Sequence, residues 1–179
     1  MTTISSLLQD SVGAVLLKGE PGTGKTTFAL ELLREGGGGV YVSTRVSREE
    51  LLQQIPRTRE LIVGDGGAGR PSVAMEDSRL APAALLLSQL MQMEGPDKGR
   101  RLIVLDSWDG VAKELPTAER LKAEKTLMSI ARSRNMKPVF ISEEPAQTTL
   151  GYLVDAVVEF RRELREGAVV RTLEVQKLR

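Results

Sequence analysis

The chain has 179 residues and a mass of 19.5 kDa with 41% hydrophobic content, enough for one sizeable core and too little for two large domains. Its 25 Lys and Arg against 24 Asp and Glu leave a net charge of +1, which argues against a nucleic-acid binder that is basic over its whole surface and permits only a local basic patch. With no cysteine and no histidine, disulfides, thiol nucleophiles, Ser-His-Asp triads and most zinc sites are excluded, so any catalysis rests on carboxylates, Lys, Arg, hydroxyls or a hard metal.

In chain order, residues 12–17 form a short apolar run that breaks into Gly19, Glu20, Pro21, Gly22, Thr23 and Gly24, the pattern of a strand entering a loop. Phe28, Ala29, Leu32 and Leu33 then recur at helical spacing until residues 36–39, all glycine, stop the helix. Residues 40–43 read as a second strand. Ser47 with Glu50 three positions on reads as a capping box that opens a helix through Ile55. Leu61, Ile62 and Val63 suggest a third strand, followed by an exposed loop over residues 64–72.

Residues 81–93 form an apolar helix, and residues 101–106 (RLIVLD) a buried strand that ends in a carboxylate. A long charged helix over about residues 116–134 precedes a strand at 138–142. Residues 155–160 and 169–177 read as strands paired into a hairpin through Glu166 and Gly167. Strands alternating with helices predict an α/β fold of three layers, with a mainly parallel sheet, helices on both faces and a C-terminal β-hairpin. No repeat or linker divides residues 1–179, which read as one domain; the abrupt end on a charged strand leaves open a longer parent chain. The absence of a basic leader and of any run of about 18 apolar residues predicts a cytoplasmic protein with no membrane partner.

Gly19, Gly24, Lys25 and Thr26 fit the phosphate-loop pattern G-x-x-x-x-G-K-[ST], after a strand and before a helix. Residues 19–27 would cradle phosphates with backbone N–H groups, helped by the positive end of the helix dipole. Lys25 would reach the β- and γ-phosphates, Thr26 would place a hydroxyl on Mg²⁺, and Thr27 would approach the α-phosphate. Asp106, closing an apolar strand, stands where a Walker B carboxylate supports the same metal, with Ser107 beside it.

With GEPGTGKTTFALELL, the strand YVS, the strand LIVLDS, the strand VFIS and the closing RTLEVQKLR, the chain resembles the RecA/KaiC-like P-loop ATPases. It is most similar to archaeal KaiC-like proteins, including the gas-vesicle-regulator (GvpD) type. The resemblance runs along nearly the whole chain and implies ATP and Mg²⁺ as ligands, hydrolysis to ADP and phosphate, and a homo-oligomer such as a hexameric ring or a regulatory protein partner. It also implies that Lys177 and Arg179 act as the K-x-R finger that such subunits insert into a neighbour's nucleotide site.

One departure bears on mechanism. The family places a glutamate pair after the second strand to activate water, whereas this chain has Thr44, Arg45 and Val46 there, and Arg accepts no proton at neutral pH. Glu143 and Glu144 are the best substitutes, because they follow a strand whose carboxyl end faces the ligand in a parallel sheet. Asp109, Glu49 and Glu50 are weaker candidates, and Arg45 is a possible nucleotide or partner contact. Trp108 reads as packing at the core margin, and the mixed charges over residues 161–166 read as a solvated hairpin rather than a nucleic-acid stripe.

Three functions fit these residues: a slow ATPase that couples nucleotide state to assembly or a partner, a non-hydrolysing ATP-sensing regulatory module, and a small P-loop kinase or nucleoside-triphosphatase. The last fits least, since compact triphosphatases carry Glu where this chain has Ser107. Base preference and nucleic-acid binding stay open at this level.

Overall fold

A computed structural model describes residues 4–11, 13–64, 73–93, 101–144 and 149–179. Seven strands form one sheet in the order β3-β2-β4-β5-β1-β6-β7. They are β1 (Val15–Gly19), β2 (Gly39–Ser43), β3 (Val73–Asp77), β4 (Arg101–Asp106), β5 (Met136–Ser142), β6 (Ala156–Arg165) and β7 (Ala168–Leu178). All neighbouring pairs are parallel except the hairpin β6–β7. Parallel neighbours need crossover connections, and these carry the helices onto the two faces.

On one face lie α1 (Ile4–Ser11), α2 (Lys25–Glu35), α3 (Arg48–Gln54) and α4 (Arg59–Val63). On the other lie α5 (Ala83–Gln92), α6 (Trp108–Ala112), α7 (Thr117–Ser133) and α8 (Thr149–Leu153). Alternation along each strand supplies both cores: Val15 and Leu17 point to the first, Leu16 to the second, and the same split separates Tyr41 from Val42. The outcome is the three-layer α/β/α arrangement expected from the pattern.

Local signals explain most boundaries. The Ser47 hydroxyl accepts from the Glu50 N–H at 3.1 Å while the Glu50 carboxylate accepts from the Ser47 N–H at 2.6 Å, completing the capping box of α3. The hairpin turns at Glu166 (φ 50°) and Gly167 (φ 79°), two left-handed residues that match the twist of an antiparallel pair.

One expectation is overturned. Leu61, Ile62 and Val63 are not a strand: they end α4, which follows a 3₁₀ turn at Pro56–Thr58 and stops at Gly64 (φ 91°). Three apolar residues cannot set a period, and Leu61 and Ile62 reach the first core as well from a helical turn as from a strand. The third strand is instead Val73–Asp77, an edge strand that buries only Val73 and Met75. The loop expected at residues 64–72 lies, after Gly64, outside the described residues. No helix among the described residues is long and apolar enough to cross a membrane.

Candidate functional site

The carboxyl ends of β1, β2, β4 and β5 converge on a cavity of about 870 Å³ lined by Gly22, Gly24, Lys25, Thr26, Thr27, Arg45, Asp106 and Glu143, among others. β1 delivers the loop. Gly19 leaves that strand so close to β6 that a Cβ there would sit 2.2 Å from the Phe160 carbonyl oxygen, and only glycine fits. Gly24 closes the loop at φ 106° as the N-cap of α2 with no side chain to cap the helix. The first backbone bond of α2 runs from the Phe28 N–H to the Gly24 carbonyl at 3.0 Å, so the amides of Lys25, Thr26 and Thr27 belong to the unpaired first turn of the helix. This is a cradle for an anion.

Lys25 is 4% exposed, and its Nζ donates to the carbonyls of Gly19 at 2.6 Å and Glu20 at 2.7 Å. Burial pushes its pKa below the usual lysine value, against the pull of Glu143 and Asp106, which favours the charged form. Thr23 is buried beneath the loop and donates to the Glu20 carbonyl at 2.8 Å. Glu20 itself is exposed, and Pro21 lines the cavity mouth.

Asp106 ends β4 beside this cradle, 6% exposed. Its Oδ2 accepts from the Thr26 hydroxyl at 2.6 Å and from the Tyr41 hydroxyl at 2.6 Å. Tyr41, fully buried in β2, has its pKa raised by burial and by the Asp106 charge, so it stays a donor. The next residue, Ser107, is 2% exposed and meets the Thr44 hydroxyl through both its N–H and its carbonyl, at 2.9 Å each. Thr26 and Asp106 offer a hydroxyl and a carboxylate oxygen at one point, donors suited to Mg²⁺. Among the described residues no cluster of three or more His, Cys, Asp or Glu could hold a metal by itself.

The two candidate bases part company. Glu143 lines the main cavity, where it forms an ion pair with Arg45, and that hydrogen bond raises the Arg45 pKa further. Asp109 organises this corner: its Oδ1 accepts from the Ser142 hydroxyl at 2.8 Å and its Oδ2 from the Glu143 N–H at 2.6 Å. Glu144 points away, 3.7 Å from Arg120, and lines a second cavity of about 410 Å³ together with Lys177 and Arg179. In this chain the Lys177 ammonium donates to the carbonyls of Gly151 at 3.0 Å and Tyr152 at 3.1 Å, at the C-terminal end of α8. Glu49 and Glu50 stay in the first turn of α3, outside the cleft. Trp108 is fully buried in the second core against Phe140 rather than at its margin.

Sequence reasoning missed Tyr41 as a partner of Asp106, and it missed the hairpin's approach to the loop. A Cβ at Gly22 would lie 3.7 Å from Arg162 Nη1, and Arg171, the cross-strand partner of Arg162, lines the cavity. The first depends on the pairing of β2 with β4 and the second on the hairpin register, neither of which a short motif carries.

Residues 4–70 match the family described as GvpD gas vesicle protein, P-loop domain. Across 92% of this chain the sequence is 30% identical to the protein GvpD2 of Halobacterium salinarum, and across 95% it is 28% identical to GvpD1 of the same organism. The chain spans 37% and 34% of the lengths of those two relatives. In three dimensions it superposes on a KaiC-like protein from the hyperthermophilic archaeon Pyrococcus horikoshii with a TM-score of 0.69 at 18% identity, covering 93% of this chain and 79% of the other. The chain has the RecA/KaiC-like fold. Within that frame, the converging strand ends and the loop at residues 19–27 border the main cavity.

Proposed function

We propose that the chain binds Mg-ATP in this cleft and hydrolyses it slowly to ADP and phosphate, its nucleotide state governing assembly into a homo-oligomer or contact with a regulatory partner. The observation that carries the reading is the meeting of Lys25, Thr26 and Asp106 at one end of a glycine cradle, with the Thr26 hydroxyl 2.6 Å from Asp106. A triphosphate would replace the Gly19 and Glu20 carbonyls as acceptors for the Lys25 ammonium and accept from the first-turn amides of α2. Thr26 and Asp106 would hold Mg²⁺, which when bound neutralises charge on the phosphate oxygens. Tyr41 fixes the carboxylate from behind. Beyond the cradle the cavity runs between α2 and α3, where Leu51, Ile55 and Leu61 offer an apolar wall and Gln54 a polar edge for the nucleoside.

For hydrolysis, Glu143 takes a proton from water as the water oxygen bonds to the γ-phosphorus and the bond to the β,γ-bridging oxygen breaks, releasing ADP. Arg45 engages that carboxylate in an ion pair, so the carboxylate has to be released before it can act on water. The same pair favours a second reading, a nucleotide-sensing switch without turnover, for which the likeness to gas-vesicle proteins is support. Lys177 and Arg179 act in a neighbouring subunit's site in this scheme, once Lys177 releases the end of α8.

The test is nucleotide titration beside steady-state phosphate release on wild type, Lys25→Ala and Glu143→Gln over a range of protein concentrations. Lys25→Ala is expected to abolish binding, and Glu143→Gln to bind but lose turnover. Nucleotide binding indifferent to Lys25 would overturn the assignment, and binding without any turnover would select the switch.

A further inference from the structure

We propose that Arg45 discriminates a triphosphate from a diphosphate, exchanging its ion pair with Glu143 for the terminal phosphate and thereby freeing the Glu143 carboxylate. The inference rests on the nucleotide reading above and adds to it the specificity determinant of the same site.

The placement follows from the sheet. Arg45 comes two residues after β2, and Glu143 directly after β5, with β4 between them. Two strand spacings are about 10 Å, so the Arg45 side chain reaches across the end of β4, where Asp106 stands, to meet its partner. The terminal phosphate of a nucleotide cradled at residues 19–27 lies on the Asp106 side, next to Lys25 and the metal-supporting carboxylate, and so next to this bridge. A diphosphate ends one group short of it.

Both backbones are fixed. The Thr44 N–H donates to the Asp106 carbonyl at 2.8 Å, and the Thr44 hydroxyl is bonded on both sides to Ser107, so the chain entering Arg45 is pinned to the end of β4. The Glu143 N–H is pinned to Asp109 at 2.6 Å. Exchange therefore needs only side-chain rotation, and the Arg45 side chain, 46% exposed, has room to make it. A half-exposed ion pair is held weakly, whereas a guanidinium fork on a doubly charged phosphate with three acceptor oxygens makes short, charge-assisted bonds. The phosphate is the stronger partner, so its arrival moves Arg45 off the carboxylate. Arginine at the position where the family keeps a proton acceptor then acquires a reason: substrate recognition and release of the substitute base become one event.

Calorimetric titration with ADP and with the slowly hydrolysed analogue ATPγS, each with Mg²⁺, tests this on wild type, Arg45→Gln, Arg45→Lys, Glu143→Gln and the Arg45→Gln/Glu143→Gln double variant. Arg45→Gln is expected to weaken ATPγS about tenfold or more while leaving ADP within about twofold, and Arg45→Lys to fall between it and wild type. Glu143→Gln is expected to tighten ATPγS several-fold, a gain that disappears in the double variant because it depends on a freed Arg45. An ATPγS-to-ADP preference unchanged in Arg45→Gln and Arg45→Lys, or a Glu143→Gln gain that survives without Arg45, would overturn the proposal while Lys25-dependent binding left the nucleotide reading standing. Wild-type protein that bound neither nucleotide would remove both.

Discussion

At the scale of single residues, one carboxylate oxygen concentrates the chemistry of this molecule. Asp106 Oδ2 accepts from both Thr26 and Tyr41, and hydrogen bonds to a charged acceptor contribute more than neutral ones. Removing the Tyr41 hydroxyl by Tyr41→Phe is expected to cost about 1.5–3 kcal/mol in urea unfolding and to weaken Mg²⁺-dependent nucleotide binding more than binding without the metal. The same substitution has a pH signature. Burial and the Asp106 charge raise the Tyr41 pKa above its ordinary 10.0, so the folded chain keeps a proton that the unfolded chain loses. That stability is complete below about pH 10 and declines as pH rises beyond it, and the alkaline loss should be shallower in Tyr41→Phe than in wild type when denaturant midpoints are compared. The phosphate loop is legible in the sequence because its residues are consecutive. Tyr41 is not, standing 65 positions from Asp106 and looking like any apolar strand residue.

At the scale of elements, charged side chains tie together the helices that cover the second face. Glu124 of α7 is fully buried and accepts from Trp108 Nε1 at 3.0 Å, Arg120 Nε at 3.1 Å and the Thr149 hydroxyl at 2.8 Å. It thus joins α6, which begins two residues after Asp106, to α8. Arg134 does a related task for α5, donating to the carbonyls of Met91 and Met93 at 2.6 Å each. Removing Glu124 takes the shared acceptor from Arg120 Nε, the Trp108 N–H and the Thr149 hydroxyl, so Glu124→Ala is expected to cost about 3–5 kcal/mol. Trp108 is the only tryptophan, so its fluorescence should shift with that loss and report it directly. Strong local signals specify α2, α3, β4, β5 and the hairpin. The exchange of Leu61–Val63 for Val73–Asp77 as third strand shows where such signals fail: a short edge strand buries too few side chains to leave a period in the sequence.

At the scale of the whole molecule, the sheet order sets which strand ends meet, and with them which residues form the cleft. Because the cradle, Asp106 and Glu143 come from three different strands, their arrangement exists only in the folded state, and a ligand held there must stabilise that state. At a concentration one hundredfold above its dissociation constant a nucleotide should add about 2.7 kcal/mol, which for a chain of this size raises Tm by about 5–11 °C. Thermal unfolding with Mg-ADP should show the rise in wild type and none in Lys25→Ala. The features that the chain spells out unaided are contiguous: a glycine loop that only backbone freedom permits, apolar strands, a capping box, and a carboxylate closing β4. Folding in three dimensions decides what depends on direction and distance. Glu143 and Glu144 are neighbours in the chain, yet successive residues leaving a strand point to opposite sides, so one meets Arg45 in the main cleft and the other meets Arg120 beside the second cavity.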